Sequence, residues 1–183
     1  YGTLPPELAD RLTNSAMIDR GEFAVLFQTV KELLSYQQSD QQLYTQVLYM
    51  LCNGAELDRV LTKMTDVTGD LFVVIDSTGK LVAKTKNFYV DYPLWMRSIE
   101  QGYCSDILME YIEDRRRKNE YSLSDKPFTL FCEHMQRYLL CTRIVYDNFM
   151  MGYVIIVSKT GMFSAAEQQI IPLLSSSAKE RIV

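Results

Sequence analysis

Four cysteines and a single histidine carry most of the reactive chemistry available to this chain of 183 residues. Cys132 and His134 share one C-x-H stretch, and Cys141 follows on the next strand candidate. If the intervening turn centres on Gln136-Arg137, Cys132 lies opposite Cys141, which would make a soft-metal or redox pair. A metal centre needs further ligands in fixed geometry, and C-x-H with a distant cysteine is no recognised zinc pattern. No metal is therefore expected, and the residues read as two small apolar strand positions and a turn histidine. Cys104, near the start of a helix, could have a lowered pKa. A cysteine nucleophile also needs a base within hydrogen-bond reach, and nothing in the sequence carries His134 to it. No phosphate-cradling glycine loop occurs. The chain is not expected to be an enzyme, and no cofactor is called for.

Bulk properties narrow the classes further. The net charge is −4 and the pI about 5.1, so broad electrostatic binding of nucleic acid is not expected. The one basic run, Arg115 to Lys118, is flanked by Glu113, Asp114 and Glu120 and reads as a solvated helix end. No apolar run approaches a membrane span, and the start lacks the pattern of a signal peptide. The dispersed cysteines Cys52, Cys104, Cys132 and Cys141 suggest a reducing, cytoplasmic setting. A start at Tyr1 rather than Met suggests an excised fragment.

The elements that must position these residues follow from periodicity. Pro5-Pro6 would open a short helix over 7–12. Phe23, Leu26, Phe27, Val30, Leu33 and Leu34 recur at helical spacing. Ser39 and Asp40 offer caps for another helix carrying Leu43, Val47, Met50 and Leu51. A third helix buries Leu57, Val60, Leu61, Met64 and Val67 and stops at Gly69. Strands Leu71–Asp76 and Lys80–Lys84 flank a Ser-Thr-Gly turn that Asp76 starts by accepting backbone N–H groups. An excursion over 86–126 holds two short helices, one from Pro93 and one capped by Ser105, then a polar loop over 118–127. Strands follow at Phe128–Glu133, Tyr138–Tyr146 and Phe149–Ser158, the last two joined by Asp147-Asn148. Ser164 and Glu167 form a capping box opening a final helix, which Pro172 should kink or displace. Hairpin connections favour an antiparallel sheet with helices grouped on one face, an α+β fold.

The stretches ELDRVLTKMTDVTG, LFVVIDSTGKLVA, YLLCTRIVYDNFMMGYVIIVSKTGMFS and AAEQQIIPLLSSSAKERIV carry a resemblance over 54–183. They resemble a GAF-like sensor domain of the wider PAS/GAF group. With its leading helices the chain looks most like the N-terminal sensor region of PucR- or CdaR-type bacterial transcription regulators. The resemblance implies a sheet of about five or six strands with helices packed on it. It implies an N-terminal helical extension over 1–53 and a sensor domain over 54–183. It also implies a ligand-sensing or dimerising regulatory domain whose DNA-binding output lies elsewhere. The alternative is a regulatory module of a signalling enzyme such as a kinase or nucleotide cyclase.

In such folds a small metabolite sits between one sheet face and the excursion helices. Tyr92, Trp95, Arg97, Tyr103 and Tyr111 would come from the excursion, and Phe131, Glu133, Cys141 and Arg143 from the sheet. The aromatics offer stacking surface and hydroxyl tips, and Arg143 a fork for carboxylate or phosphate. The other reading stays open: the aromatics complete the core and Arg143 pairs with Glu133. The terminal helices could form a homodimer seam or pack on the domain's own sheet.

Overall fold

The computed structural model describes residues 20–118 and 126–182, with side chains from residue 24 onward except that of Tyr36. The expected helix over 7–12 and most of the loop over 118–127 lie outside these residues. The chain divides into two compact units, 1–39 and 40–183. Of the first unit, the described part belongs to helix α1 (Arg20–Cys52). It carries exposed apolar side chains at Val25, Leu26, Phe27, Val30, Leu33 and Leu34.

The second unit runs through the rest of α1, then α2 (Leu57–Thr68), β1 (Leu71–Asp76), β2 (Leu81–Lys84), α3 (Pro93–Glu100) and α4 (Asp106–Lys118). It ends with β3 (Phe128–Cys132), β4 (Arg137–Tyr146), β5 (Phe149–Ser158) and α5 (Ala165–Ile182). The strands form one antiparallel sheet in the order β2-β1-β5-β4-β3. The architecture is α+β and GAF-like, with five strands in the sheet.

Local chemistry explains the turns. The Asp76 carboxylate accepts the N–H of Thr78 at 2.8 Å and of Lys80 at 3.0 Å, and the Thr78 hydroxyl at 2.7 Å. Asp147 and Asn148 sit at φ 48° and 64°, the two left-handed residues that a tight hairpin turn requires. Gly152 on β5 lies opposite Asp76. A Cβ there would fall 2.0 Å from the Ile75 carbonyl oxygen, so the close approach of β1 and β5 needs glycine. The edge strand β2 is covered by α2: the Asp58 carboxylate accepts the Lys84 N–H at 2.7 Å and the Thr62 hydroxyl oxygen accepts the Lys86 N–H at 3.0 Å.

Helices cover both faces of the sheet, which corrects the expectation of one covered face. The reason lies in β1 and β5, whose LFVVID and YVIIV stretches are apolar at both parities. Phe72, Val74, Leu140, Ile144, Val154 and Ile156 pack with Leu43, Val47, α2 and α5. Val73, Ile75, Leu139, Cys141, Tyr153 and Ile155 pack with α3 and α4. Two other expectations are corrected. Ser39-Asp40 starts no new helix, since α1 is continuous from Arg20 to Cys52. The Asp40 carboxylate instead accepts the N–H of Ala166 on α5 at 3.4 Å. Pro172 lies within an unbroken α5. Pro172 and Gln168, whose carbonyl it cannot serve, are both exposed, so water can take that acceptor.

Candidate functional site

The site expected from the sequence lies where α3 and α4 cover the second sheet face. Both helices put apolar residues inward at i, i+4: Trp95 and Ile99 from α3, Leu108 and Ile112 from α4. Trp95 is fully buried, edge-on to Phe88 with ring centroids 5.2 Å apart. Its indole Nε1 is buried without a hydrogen-bond partner. Cys141 is also fully buried. These residues fill the space between sheet and helices with side chains.

Polar chemistry gathers at the rim instead, at the end bearing the β3–β4 turn. His134 lies between Tyr92, stacked at 6.5 Å, and Tyr111, edge-on at 6.5 Å. The Tyr111 hydroxyl donates to the Phe131 carbonyl at 2.5 Å. The Arg115 guanidinium lies 5.2 Å over the Tyr111 ring and 3.8 Å from the Glu133 carboxylate. Glu133 thus has its ion pair with Arg115.

Other predicted residues are placed elsewhere. The Phe131 side chain lies on the opposite sheet face from Cys141 and is in ring contact with Tyr138 at 4.8 Å. Arg143 is half-buried on the Cys141 face, opposite Tyr153 in register. Arg97 is exposed and shares with Tyr89, Tyr92 and Glu100 a groove of about 310 Å³. Tyr103 is exposed, and its backbone bridges to Lys80.

A second cluster was not anticipated. The Tyr153 hydroxyl donates to Glu113 Oε1. Arg116 donates to Glu113 Oε2 through Nη2 at 2.8 Å and Nε at 3.1 Å. Burial pushes the Glu113 carboxyl up, but the tyrosine hydroxyl and the guanidinium outweigh it and hold its pKa below the usual value. The basic run is therefore not wholly solvated: Arg116 turns toward Glu113 with a side chain only 16% exposed. The i, i+3 spacing of Glu113 and Arg116 was a signal for that pair. The inward parity of Tyr153 was the only hint of the third member. Beside the cluster a groove of about 660 Å³ runs along α4, lined by Ile107, Met109, Tyr111, Glu113, His134 and Met150 among others.

Burial governs the three inward thiols. Burial pushes Cys104 up to about 12, overriding any helix effect. Burial also raises Cys132 and Cys141. Cys132 pairs with Arg137 and Cys141 with Phe128. The turn occupies 133–136 rather than centring on Gln136-Arg137, so the condition that would set Cys132 opposite Cys141 is not met, and both are buried strand residues. Among the described residues no group of three ligating side chains could hold a metal ion, and no helix is long and apolar enough to cross a membrane.

Solved structures of similar outline are GAF domains. The cofactor-binding GAF domain of the nutrient sensor CodY from Clostridium difficile is 14% identical, with a TM-score of 0.45 over 91% of this chain and 100% of that one. The GAF domain of a phosphoenolpyruvate-protein phosphotransferase from Acinetobacter is 11% identical, with a TM-score of 0.40 over 78% and 92%. That of the Coxiella burnetii phosphotransferase is 11% identical, with a TM-score of 0.43 over 78% and 94%. No protein-family model and no curated protein matches the chain. The fold statement rests on the strand order and the two covered faces.

Proposed function

We propose that the chain is a cytoplasmic regulatory domain of a bacterial transcription regulator, one that pairs with a second copy of itself and senses a small metabolite. The pairing rests on the surface of α1. Phe27, Leu33 and Leu34 are 61%, 60% and 57% exposed. Single exposed apolar side chains are ordinary, whereas a contiguous set marks an interaction surface. Leu26, Val30 and Leu33 recur at the three-four spacing of a helix seam, and Phe27 and Leu34 widen it. Such a stripe complements itself across a two-fold axis.

The groove along α4 supports the sensing part. Ile107, Met109 and Met150 give it apolar walls, and Tyr111, Glu113 and His134 give it a few polar groups, the mixture that small-molecule sites use. The four free thiols fit a reducing compartment. The transcriptional output rests on the sequence resemblance to PucR- and CdaR-type sensors.

Light scattering on the wild type and on a Leu26→Glu, Leu33→Glu double variant tests the pairing. The expected result is a dimer that becomes a folded monomer. A wild type that stays monomeric at high micromolar concentration would overturn it. For sensing, a thermal-shift screen with metabolites should find a stabiliser, and a folded dimer that none of them stabilises would count against that part.

A further inference from the structure

Four cationic side chains line a groove of about 670 Å³ between α2 and the edge strand β2. Arg59 and Lys63 stand one turn apart on α2, the spacing that puts them on one side of the helix. Lys84 ends β2, and Lys86 follows at the same parity. Met50 of α1 adds an apolar wall. Hydrogen bonds fix the two cationic walls relative to each other. The Lys84 N–H donates to Asp58 at 2.7 Å and the Lys86 N–H to Thr62 at 3.0 Å, and the Thr65 and Thr85 hydroxyls meet at 2.9 Å.

No ion pair among the described residues reaches Arg59, Lys63, Lys84 or Lys86. The carboxylates of the groove are those of Asp58 and Asp66, so its walls are cationic although the chain as a whole carries a net charge of −4. The other polar groups of the floor are already in use. Asp58 Oδ1 accepts the Lys84 N–H. The Thr62 hydroxyl donates to the Asp58 carbonyl at 2.7 Å while accepting from Lys86. The Thr85 hydroxyl accepts the Phe72 N–H at 2.9 Å. What the groove still offers a ligand is chiefly its ammonium and guanidinium heads. Lys63 and Lys84 are half-buried, so their stems lie along the protein and only the heads reach out. Like charges held together repel, and an anion seated among them turns that repulsion into attraction.

We propose that this groove binds the phosphate group of a small metabolite, at a site on the opposite sheet face from the α4 groove. A phosphate monoester carries a charge of about −1.5 to −2 and three acceptor oxygens. It can therefore meet several of these heads at once, the fork of Arg59 included. A single carboxylate offers fewer oxygens and half the charge. Met50 receives the organic part of the ligand, and Asp66 is left to accept one of its hydroxyls. The concave shape and the volume suit a small molecule.

NMR titration of the full chain with sodium pyrophosphate at constant ionic strength tests this, with sodium chloride and a polyglutamate peptide as the other arms. The expected result is saturable shifts of the Arg59, Lys63, Lys84 and Lys86 amides, with a dissociation constant below about 1 mM. The amides of Met109 and Tyr111 in the α4 groove should stay still. A Lys63→Gln, Lys84→Gln double variant should bind about tenfold more weakly, with its denaturation midpoint unchanged. Shifts that chloride reproduces, or an affinity unchanged in the variant, would overturn the proposal. So would a groove that takes polyglutamate and not pyrophosphate, which would make an acidic protein partner the occupant. Should the double variant fail to fold, the exposed Arg59→Gln takes its place: a loss of about threefold is expected, and no loss would overturn the proposal.

Discussion

Glu113 and Glu167 stand on helices that cover opposite faces of one sheet, and their carboxyls are pushed in opposite directions. Burial works against the charged form of both. Over the second face, Glu113 meets a tyrosine hydroxyl and a guanidinium, and its pKa falls. Over the first, Glu167 has no ion pair among the described residues, and burial, then the charge of Asp70, raises its pKa. Desolvation raises both, and only Glu113 has partners that reverse the sign. The second face has therefore fixed an anion at its rim. The first carries a carboxyl, Glu167, poised to titrate in the neutral range.

The comparison also concerns what each face is for, and truncation of one large side chain on each would break it most sharply. Phe72 and Trp95 are both fully buried, one in each core. If both cores are closed packing, Phe72→Ala and Trp95→Ala should each cost about 3–5 kcal/mol in chemical denaturation. If the second face instead opens readily as a binding chamber, Trp95→Ala should cost markedly less than Phe72→Ala. Equal losses would put the binding surface outside the core, at the rim along α4.

The pH dependence of folding sharpens the same contrast at a smaller magnitude. Glu167 has a folded pKa raised from 4.5 to about 7. Its protonated form is favoured by the fold, so its stabilising contribution is complete below 4.5 and is lost as pH rises through about 7. The loss is on the order of 3 kcal/mol at most. Glu113 runs the other way: its contribution is present above the ordinary carboxylate pKa and is lost as pH falls through its depressed value. Denaturant midpoints of Glu167→Gln should be nearly level between pH 5 and pH 8, where the wild type slopes downward. A parallel slope in both proteins would remove Glu167 as the cause.

Much of this fold is legible in the residues. Alternation along β4 separates Leu139 and Cys141 from Leu140 and Ile144, and these pairs do enter different cores. Asp76, Gly79 and Asp147-Asn148 mark hairpins through short-range chemistry that a local reading captures. What escapes is what depends on distant partners. Asp40 resembles a helix cap until its acceptor role toward α5 is known. The register of β3 against β4 turns on whether the loop takes residues 133–136, and a small slip separates Cys132 from Cys141. The candidate site was legible only in part. Tyr92, Tyr111 and Glu133 do meet at one rim. Their companion His134 looked like a turn residue, and the tie of Tyr153 to Glu113 spans forty positions of sequence. No spacing rule reaches that far.

That tie gives the smallest of the expected effects. Tyr153→Phe keeps the ring in the second core and removes only the donor to Glu113. Arg116 still holds Oε2, so the carboxylate stays charged but loses its support at Oε1. A hydrogen bond to a charged group is worth about 1.5–3 kcal/mol. Glu113 retains some access to water, with 21% of its side chain exposed, which places the loss near the lower end, about 1.5 kcal/mol. With the hydroxyl gone and burial unchanged, the Glu113 pKa should move upward, and acid unfolding should begin at a higher pH than in the wild type. The Glu167 midpoint, across the sheet, should not move. A shift of both carboxyls would mean that the faces are coupled through β5. A Glu113 that titrates as before would mean that Arg116 alone holds the anion and that the tyrosine is only packing.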